Sequence, residues 1–224
     1  MNNNFMRPAG EILFAKITAL PILDKQRAAT EILKIDHKYS FWDDYRNTRM
    51  FPLMTRKDPG STSSTDPLKM TISRSGSFDW APYTPSTICR WFDDFVFPWM
   101  GMRSRLMALI TEPGTANHEH IDCAPSELNT QQHKFRIVLQ GKTDTLYWLT
   151  SKGRVYAPDV EEAFVMDGGW PHGMVNTGSQ PKVTLAVGAP WIGNAVYGSD
   201  IEILQNRNEF MLPEKFDHLW QQKY

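Results

Sequence analysis

The chain has 224 residues, with 24 Lys plus Arg against 25 Asp plus Glu and a formal charge of −1. That length suits one domain with an ample core, and the near-zero charge argues against a nucleic-acid partner. Two cysteines, Cys89 and Cys123, with no CxxC pair, exclude a disulfide scaffold and make a reducing compartment the default.

The opening "MNNNF" lacks the basic region of a signal peptide, and the apolar run "ILFAKITALPIL" is interrupted by Lys16 and Pro21. The sequence therefore predicts no membrane span and a cytoplasmic location. Next, "ILFAKITAL" predicts a strand and "LDKQRAATEILKID" an amphipathic helix. The stretch "FWDDYRNTRMFPLM" reads as irregular, "DPGSTSSTDP" (58–67) as a loop and "LKMTISR" as a strand. Residues 85–100, "PSTICRWFDDFVFPWM", predict a helix with an aromatic face that stops at Pro98.

From residue 103 the pattern changes to short strands: "RSRLMALITE", "ANHEHID", "KFRIVLQG", "TLYWLT", "GRVYA", "EAFVMD" and "PKVTLAVGAP". Such punctuation predicts a mainly β protein with flanking helices, built as a double-stranded β-helix (a cupin-like jelly roll). One domain is expected over 1–224. It has helical and loop support over about 1–102, a barrel core over about 103–192 and a helical tail over about 199–224.

Within the barrel, "HEHID" carries three potential metal ligands. Strand alternation places His118, His120 and Asp122 on one face. His172 follows 52 residues after His120, on the glycine-rich turn "DGGWPHGMVN". Two histidines and a carboxylate form the facial triad of non-haem Fe(II) oxygenases, which leaves positions open for co-substrate and O₂.

Two cations sharpen the reading. In "KFRIVLQG", Phe135, Ile137 and Leu139 face one way and Lys134, Arg136 and Val138 the other; "PKVTLAVG" places Lys182 opposite Val183, Leu185 and Val187. With the larger apolar sets against surrounding structure, Arg136 and Lys182 point into the barrel. A buried cation needs an anion, and a dicarboxylate such as 2-oxoglutarate brings two.

Taken together, HxD, the "FRIVLQG" strand and "WPHGMVNTGSQPKVTLAV" resemble the aspartyl/asparaginyl β-hydroxylase-like branch of the Fe(II)/2-oxoglutarate-dependent dioxygenases, which also holds small bacterial proline hydroxylases. The resemblance spans about residues 105–190. It implies His120, Asp122 and His172 as the iron ligands and catalytic centre, Arg136 close to the co-substrate, and Lys182 on the distal carboxylate of 2-oxoglutarate. The implied activity is hydroxylation of an unactivated C–H of an amino acid, peptide side chain or similar small molecule, with succinate and CO₂ as co-products. Lys182 departs from the arginine of most members and would act as a point charge. The segment 123–133, "CAPSELNTQQH", is longer than in the proline hydroxylases.

Two other readings use the same residues. In a cupin-type metalloenzyme without 2-oxoglutarate, His118, His120 and His172 would hold iron, manganese or zinc. A non-catalytic binder on the same barrel would need no metal. His118 is also a candidate for substrate contact, as are Arg46 and Arg49 for a substrate carboxylate; Trp91, Phe92, Phe95, Phe97 and Trp99 read as core.

Overall fold

A computed structural model describes residues 6–8, 12–44, 46–56, 78–101, 103–122, 130–187 and 198–219. The expected loop at 58–67, the expected strand "LKMTISR", Cys123 and the segment 123–129 lie outside the described residues.

Eight strands between residues 106 and 187 make the barrel: β7 (Leu106–Thr111), β8 (Ala116–His120), β9 (Thr130–Gln140), β10 (Leu146–Thr150), β11 (Gly153–Tyr156), β12 (Phe164–Asp167), β13 (His172–Val175) and β14 (Lys182–Val187). Six precede them: β1 (Met6–Pro8), β2 (Ile12–Ile17), β3 (Phe41–Asp43), β4 (Thr48–Pro52), β5 (Met54–Arg56) and β6 (Phe78–Trp80), which pairs with β5. A last strand, β15 (Ile201–Asn206), follows. The major sheet runs β15-β2-β12-β9-β14-β7-β4-β3, with β1 beside β9, and the minor sheet runs β11-β10-β13-β8. Among the described residues the pairings in both are antiparallel, and the chain alternates between the sheets as a double-stranded β-helix does.

The outer face of the major sheet is where the apolar half of each strand goes. Phe135, Ile137, Leu139, Val183, Leu185 and Val187 pack in one cluster with Ala28, Ala29 and Ile32 of helix α1 (Lys25–Leu33) and Ile88 and Trp91 of α2 (Ser86–Trp91). Asp24 caps α1 by accepting from the Arg27 backbone N–H. Each such buried side chain contributes about 1.5–3 kcal/mol. This helix layer fixes which face of β9 and β14 turns inward, and so aims Lys134, Arg136 and Lys182 at the barrel interior.

Four expectations change. "FWDDYRNTRMFPLM" is not irregular: it supplies β3, β4 and the first residue of β5, and β4 pairs with β7. The helix at 85–100 does not stop at Pro98. It widens into a π turn over Phe92–Val96 and resumes as α3 (Phe97–Met100), where Pro98 sits in a first turn that needs no N–H from it, and Gly101 (φ 70°) closes it. The tail is not helical over 201–206; it forms β15 along β2. Finally, His172 opens strand β13 rather than standing on a turn.

Candidate metal centre

The minor sheet builds the centre. His120 ends β8 and His172 begins β13, and the two are direct cross-strand partners with ring centroids 4.3 Å apart. Asp122 lies just beyond β8, tied by its backbone N–H to the Gly168 carbonyl at 2.8 Å. One ligand atom from each of the three residues lies within 4.8 Å of the others, and all three residues are buried.

The rings are oriented from behind. His120 Nδ1 meets the His118 carbonyl at 2.7 Å, and His172 Nδ1 meets the Trp170 carbonyl at 2.8 Å. A carbonyl only accepts, so each Nδ1 carries the proton and each Nε2 of a neutral imidazole presents a lone pair. Those Nε2 atoms point at the carboxylate, 3.6 Å from Asp122 Oδ1 and 3.8 Å from Oδ2 respectively. Burial, then the neighbouring His172, holds His120 well below its usual pKa; burial likewise lowers His172. Burial alone would raise the Asp122 carboxyl, but Lys134, His120, Arg46 and His172 hold it well below the usual range. Two neutral nitrogen acceptors facing a carboxylate are three electron-rich atoms turned on one point. A divalent cation is the group that satisfies them, and a His₂-carboxylate set fits Fe(II).

The loop from Asp167 to His172 is held as one piece. Asp167, fully buried, accepts from the Gly169 N–H at 2.9 Å and from Arg207 Nη1 at 2.7 Å. Trp148 Nε1 donates to the Asp167 carbonyl and Trp170 Nε1 to that of Leu149, while the Arg207 guanidinium lies 5.0 Å over the Trp170 ring. Gly168 has no spare room: a Cβ there would lie 2.9 Å from the Lys134 side chain and 3.1 Å from Asp122 Oδ2. Sequence reasoning missed this harness, because Arg207 is far along the chain and carries no local signal.

The triad opens onto a cavity of about 320 Å³ between the sheets. Its major-sheet wall includes Arg105, Lys134, Arg136 and Lys182, and Arg46 reaches in from the β3–β4 turn. Arg46 joins two carboxylates, donating to Asp43 Oδ2 at 2.8 Å and to Asp122 Oδ1 at 3.1 Å. Lys134 Nζ stands 4.0 Å from Asp122 Oδ2. Arg136 donates from Nη1 to the carbonyls of Phe135 and Val187, each at 3.0 Å, and burial lowers its pKa to about 10. Lys182 donates to the Lys142 carbonyl at 2.5 Å and to the Thr145 hydroxyl, and burial lowers it to about 8 against the pull of Asp144 and Asp159. Gly141 (φ 95°) leaves room beside it, since a Cβ there would come within 3.1 Å of Lys182 Cγ.

Two expected residues are not brought in. Arg49 lies outside the cavity wall and bonds Ser40 Oγ at 3.1 Å beside the Trp42 ring. His118 is exposed and does not share the His120 face. The reason is a β-bulge: His172 pairs with His120 but Met174 pairs with Asn117, so His118 and Glu119 together oppose Gly173. Asn117, not His118, joins His120 in the cavity wall. The cupin ligand set of His118, His120 and His172 is thereby overturned. Gly173 was the available signal, since a Cβ there would lie 2.7 Å from Tyr147 Oη and 3.2 Å from Glu119 Cγ.

The sequence matches no protein-family model and no curated protein. Solved structures that resemble the fold include a Pseudomonas putida prolyl-4-hydroxylase (11% identity, 78% of this chain and 90% of that one, TM-score 0.44). A Trichoplax adhaerens prolyl hydroxylase, solved with a hypoxia inducible factor peptide fragment, is similar at 10% identity over 78% of this chain and 81% of that one (TM-score 0.43). A Burkholderia pseudomallei oxidoreductase of the 2OG-Fe(II) oxygenase family is similar at 12% identity over 75% and 80%, with a TM-score of 0.39. Likeness this distant assigns no chemistry, which has to come from the residues of the site. No helix among the described residues is long and apolar enough to cross a membrane.

Proposed function

We propose that the protein is an Fe(II)/2-oxoglutarate-dependent dioxygenase that hydroxylates an unactivated C–H of an amino acid, peptide side chain or similar small molecule. The observation that carries this reading is the convergence of His120 Nε2, His172 Nε2 and the Asp122 carboxylate in a cavity between two sheets that is lined with cations. His120, Asp122 and His172 would hold Fe(II). Lys182 would hold the distal carboxylate of 2-oxoglutarate, with Arg136 beside the co-substrate.

When bound, Fe(II) supplies the redox chemistry that couples decarboxylation of 2-oxoglutarate by O₂, giving succinate and CO₂, to hydroxylation of the substrate. The chain's own part is orientation. The carbonyls of His118 and Trp170 keep the imidazoles in the Nδ1–H tautomer, so that both Nε2 atoms remain ligands. Arg46 and Lys134 keep Asp122 ionised. Met107, Leu109, Val138 and Phe164 give the cavity an apolar portion beside its cations.

The test is an anaerobic titration with Fe(II) and then 2-oxoglutarate, followed by visible absorption. A metal-to-ligand charge-transfer band is expected on addition of the keto acid. A folded protein that binds the metal and gives no band refutes the reading.

A further inference from the structure

The β3–β4 hairpin has a side that the triad leaves unused. β3 ends the major sheet, and nothing among the described residues pairs with its outer edge. Its backbone register follows from β4. The Leu53 N–H donates to the Leu106 carbonyl, so Leu53, Phe51 and Arg49 turn their peptide groups toward β7. Alternation turns those of Thr48, Met50 and Pro52 the other way, and the Pro52 carbonyl, past the end of β3, accepts from Tyr83 Oη. Thr48 and Met50 pair with Asp43 and Phe41. Trp42, between those two, therefore directs its own N–H and C=O to the open edge.

Side chains divide in the same register. Phe41 and Asp43 stand in the cavity wall, whereas Trp42 lies on the opposite face and is 40% exposed. Asp43 is one guanidinium away from the triad: Arg46 donates to it at 2.8 Å and to Asp122 at 3.1 Å. Across from Trp42, Arg49 sets its guanidinium 5.8 Å over the indole. It bonds Ser40 Oγ at 3.1 Å and meets no carboxylate among the described residues. An edge with a free donor and acceptor, a cavity on one face and an unpaired cation on the other together suit an extended peptide with an acidic side chain. A free amino acid would use the cavity but neither the edge nor Arg49.

Resting on the oxygenase reading, we propose that the primary substrate is an acidic peptide segment that adds to β3 as an antiparallel strand. Its central residue, aspartate or glutamate, exchanges both backbone hydrogen bonds with Trp42 and so shares the Trp42 face. The carboxylate crosses the indole to Arg49: two strand spacings separate the Cα atoms, about 10 Å, which an acidic side chain and an arginine bridge together. The preceding residue falls opposite Asp43 and the following one opposite Phe41, both with side chains turned into the cavity. The residue opposite Asp43, beside the triad, is the one hydroxylated. Its C–H becomes C–OH, with 2-oxoglutarate and O₂ leaving as succinate and CO₂. Both flanking N–H groups point away from β3, so proline is admissible at either position. A three-residue edge suffices for one such exchange of bonds and is too short to template aggregation.

The test uses the full chain saturated with Zn(II) and 2-oxoglutarate, which cannot turn over, and measures binding by calorimetry. The probes are blocked pentapeptides, acetyl-Ala-Xaa-Glu-Xaa-Ala-amide, with proline, lysine, asparagine or leucine as Xaa. Each is compared with its central-glutamine form, with its form N-methylated at the central glutamate, and with the free amino acid Xaa. At least one glutamate peptide should bind about tenfold or more tightly than each of its counterparts. Arg49→Met should erase the preference for glutamate over glutamine, and Arg49→Lys should retain part of it. Neither should alter affinity for the glutamine peptide or the Fe(II)–2-oxoglutarate band. With Fe(II) and O₂ in place of Zn(II), mass spectrometry should place the added oxygen on the residue before the glutamate.

If wild type forms the band but no glutamate peptide outbinds its counterparts, the proposal fails and the oxygenase reading stands. An N-methylated peptide that binds as well as its parent overturns strand addition in the wild-type protein, whatever the variants do. A glutamate preference that survives Arg49→Met in folded protein overturns the pairing with Arg49, and oxygen on the residue after the glutamate overturns the antiparallel orientation. Absence of the band in wild type overturns both the proposal and the reading beneath it.

Discussion

The two sheets of the barrel contribute different chemistry. Every residue of the triad comes from the minor sheet or its edge: His120 from β8, His172 from β13 and Asp122 just past β8. Every cation of the cavity wall comes from the major sheet, its β3–β4 hairpin or the residue just before β7: Lys134, Arg136 and Lys182, then Arg46, then Arg105. The difference follows from what lies behind each wall. The major sheet has a layer of helices packed on its outer face, so its inward positions can carry buried charge on a rigid support. Among the described residues the minor sheet has no such helix layer, and its triad residues are aimed by backbone carbonyls and by the Asp167–His172 loop.

The sharpest way to break this division is to remove a ligand. Asp122→Ala or His172→Ala should lower Fe(II) or Zn(II) affinity by more than about a hundredfold, beyond the about 10–100-fold typical of losing an outer partner. Both should abolish the charge-transfer band and succinate formation. Asp122→Ala should also cost stability, because Arg46 and Lys134 would then face each other with one carboxylate fewer. Calorimetric metal titration with a melting curve separates the two effects.

Next in size is the support behind the minor sheet. Arg207→Met takes the Arg207 counter-charge from the Asp167 carboxylate, which is completely buried. Breaking a buried pair from one side costs about 3–5 kcal/mol, readable as a shift in the denaturant midpoint. If the loop acts on the ligands as drawn, metal affinity also falls by about tenfold or more in protein that is still folded. Unchanged metal affinity would confine Arg207 to stability.

Much of the major sheet was legible and much of the minor sheet was not, for a physical reason. In "KFRIVLQG" and "PKVTLAVG" the alternation of large apolar and other residues matches a period of two, and the helix layer enforces it, so the inward placement of Arg136 and Lys182 follows from the pattern. In "NHEHID" the period breaks at a bulge, and the deciding residue, Gly173, lies on the neighbouring strand. "HGMV" is a four-residue strand with a glycine, formed because β10 and β8 flank it on both sides. The tail "IEILQN" fits a helix as well as a strand by its own residues, and it is β2, far back in the sequence, that supplies the ladder. The aromatic and arginine-rich "FWDDYRNTRMFPLM" gave no period at all, since β3 is a three-residue, partly exposed edge strand and β4 is buried on nearly every residue between β3 and β7.

A smaller effect tests the cationic wall. Burial lowers Lys182 to about 8 from an ordinary 10.5, with Asp144 and Asp159 opposing and the Lys142 carbonyl accepting from it. Between those two values the unfolded chain holds more protons than the folded one, so the unliganded fold should gain stability as pH rises through that window. Affinity for 2-oxoglutarate should move the other way. If Lys182 holds the distal carboxylate as proposed, only its ammonium form pairs with it, so affinity is full below about 8 and weakens above it, by up to about tenfold per pH unit. Lys182→Arg keeps its charge throughout and should flatten that fall. An unaltered pH profile in Lys182→Arg would remove the lysine from co-substrate binding.

The smallest expected effect sharpens the comparison most. His118 touches the centre only through its backbone carbonyl, which any residue at that position supplies. His118→Ala should therefore leave metal affinity within about twofold, whereas an outer-partner loss costs about 10–100-fold. Gly173→Ala changes no ligand and no charge, yet its methyl would meet Tyr147 Oη at 2.7 Å. Tyr147 Oη donates to Glu119, which also accepts from Arg154, so the methyl pushes on the bulge from the side that sets its register. A mutation at a candidate ligand that does nothing, beside one at a glycine that loosens the metal, would show that the bulge and not the count of histidines selects the ligands. Metal loss in His118→Ala would instead return that histidine to the ligand set.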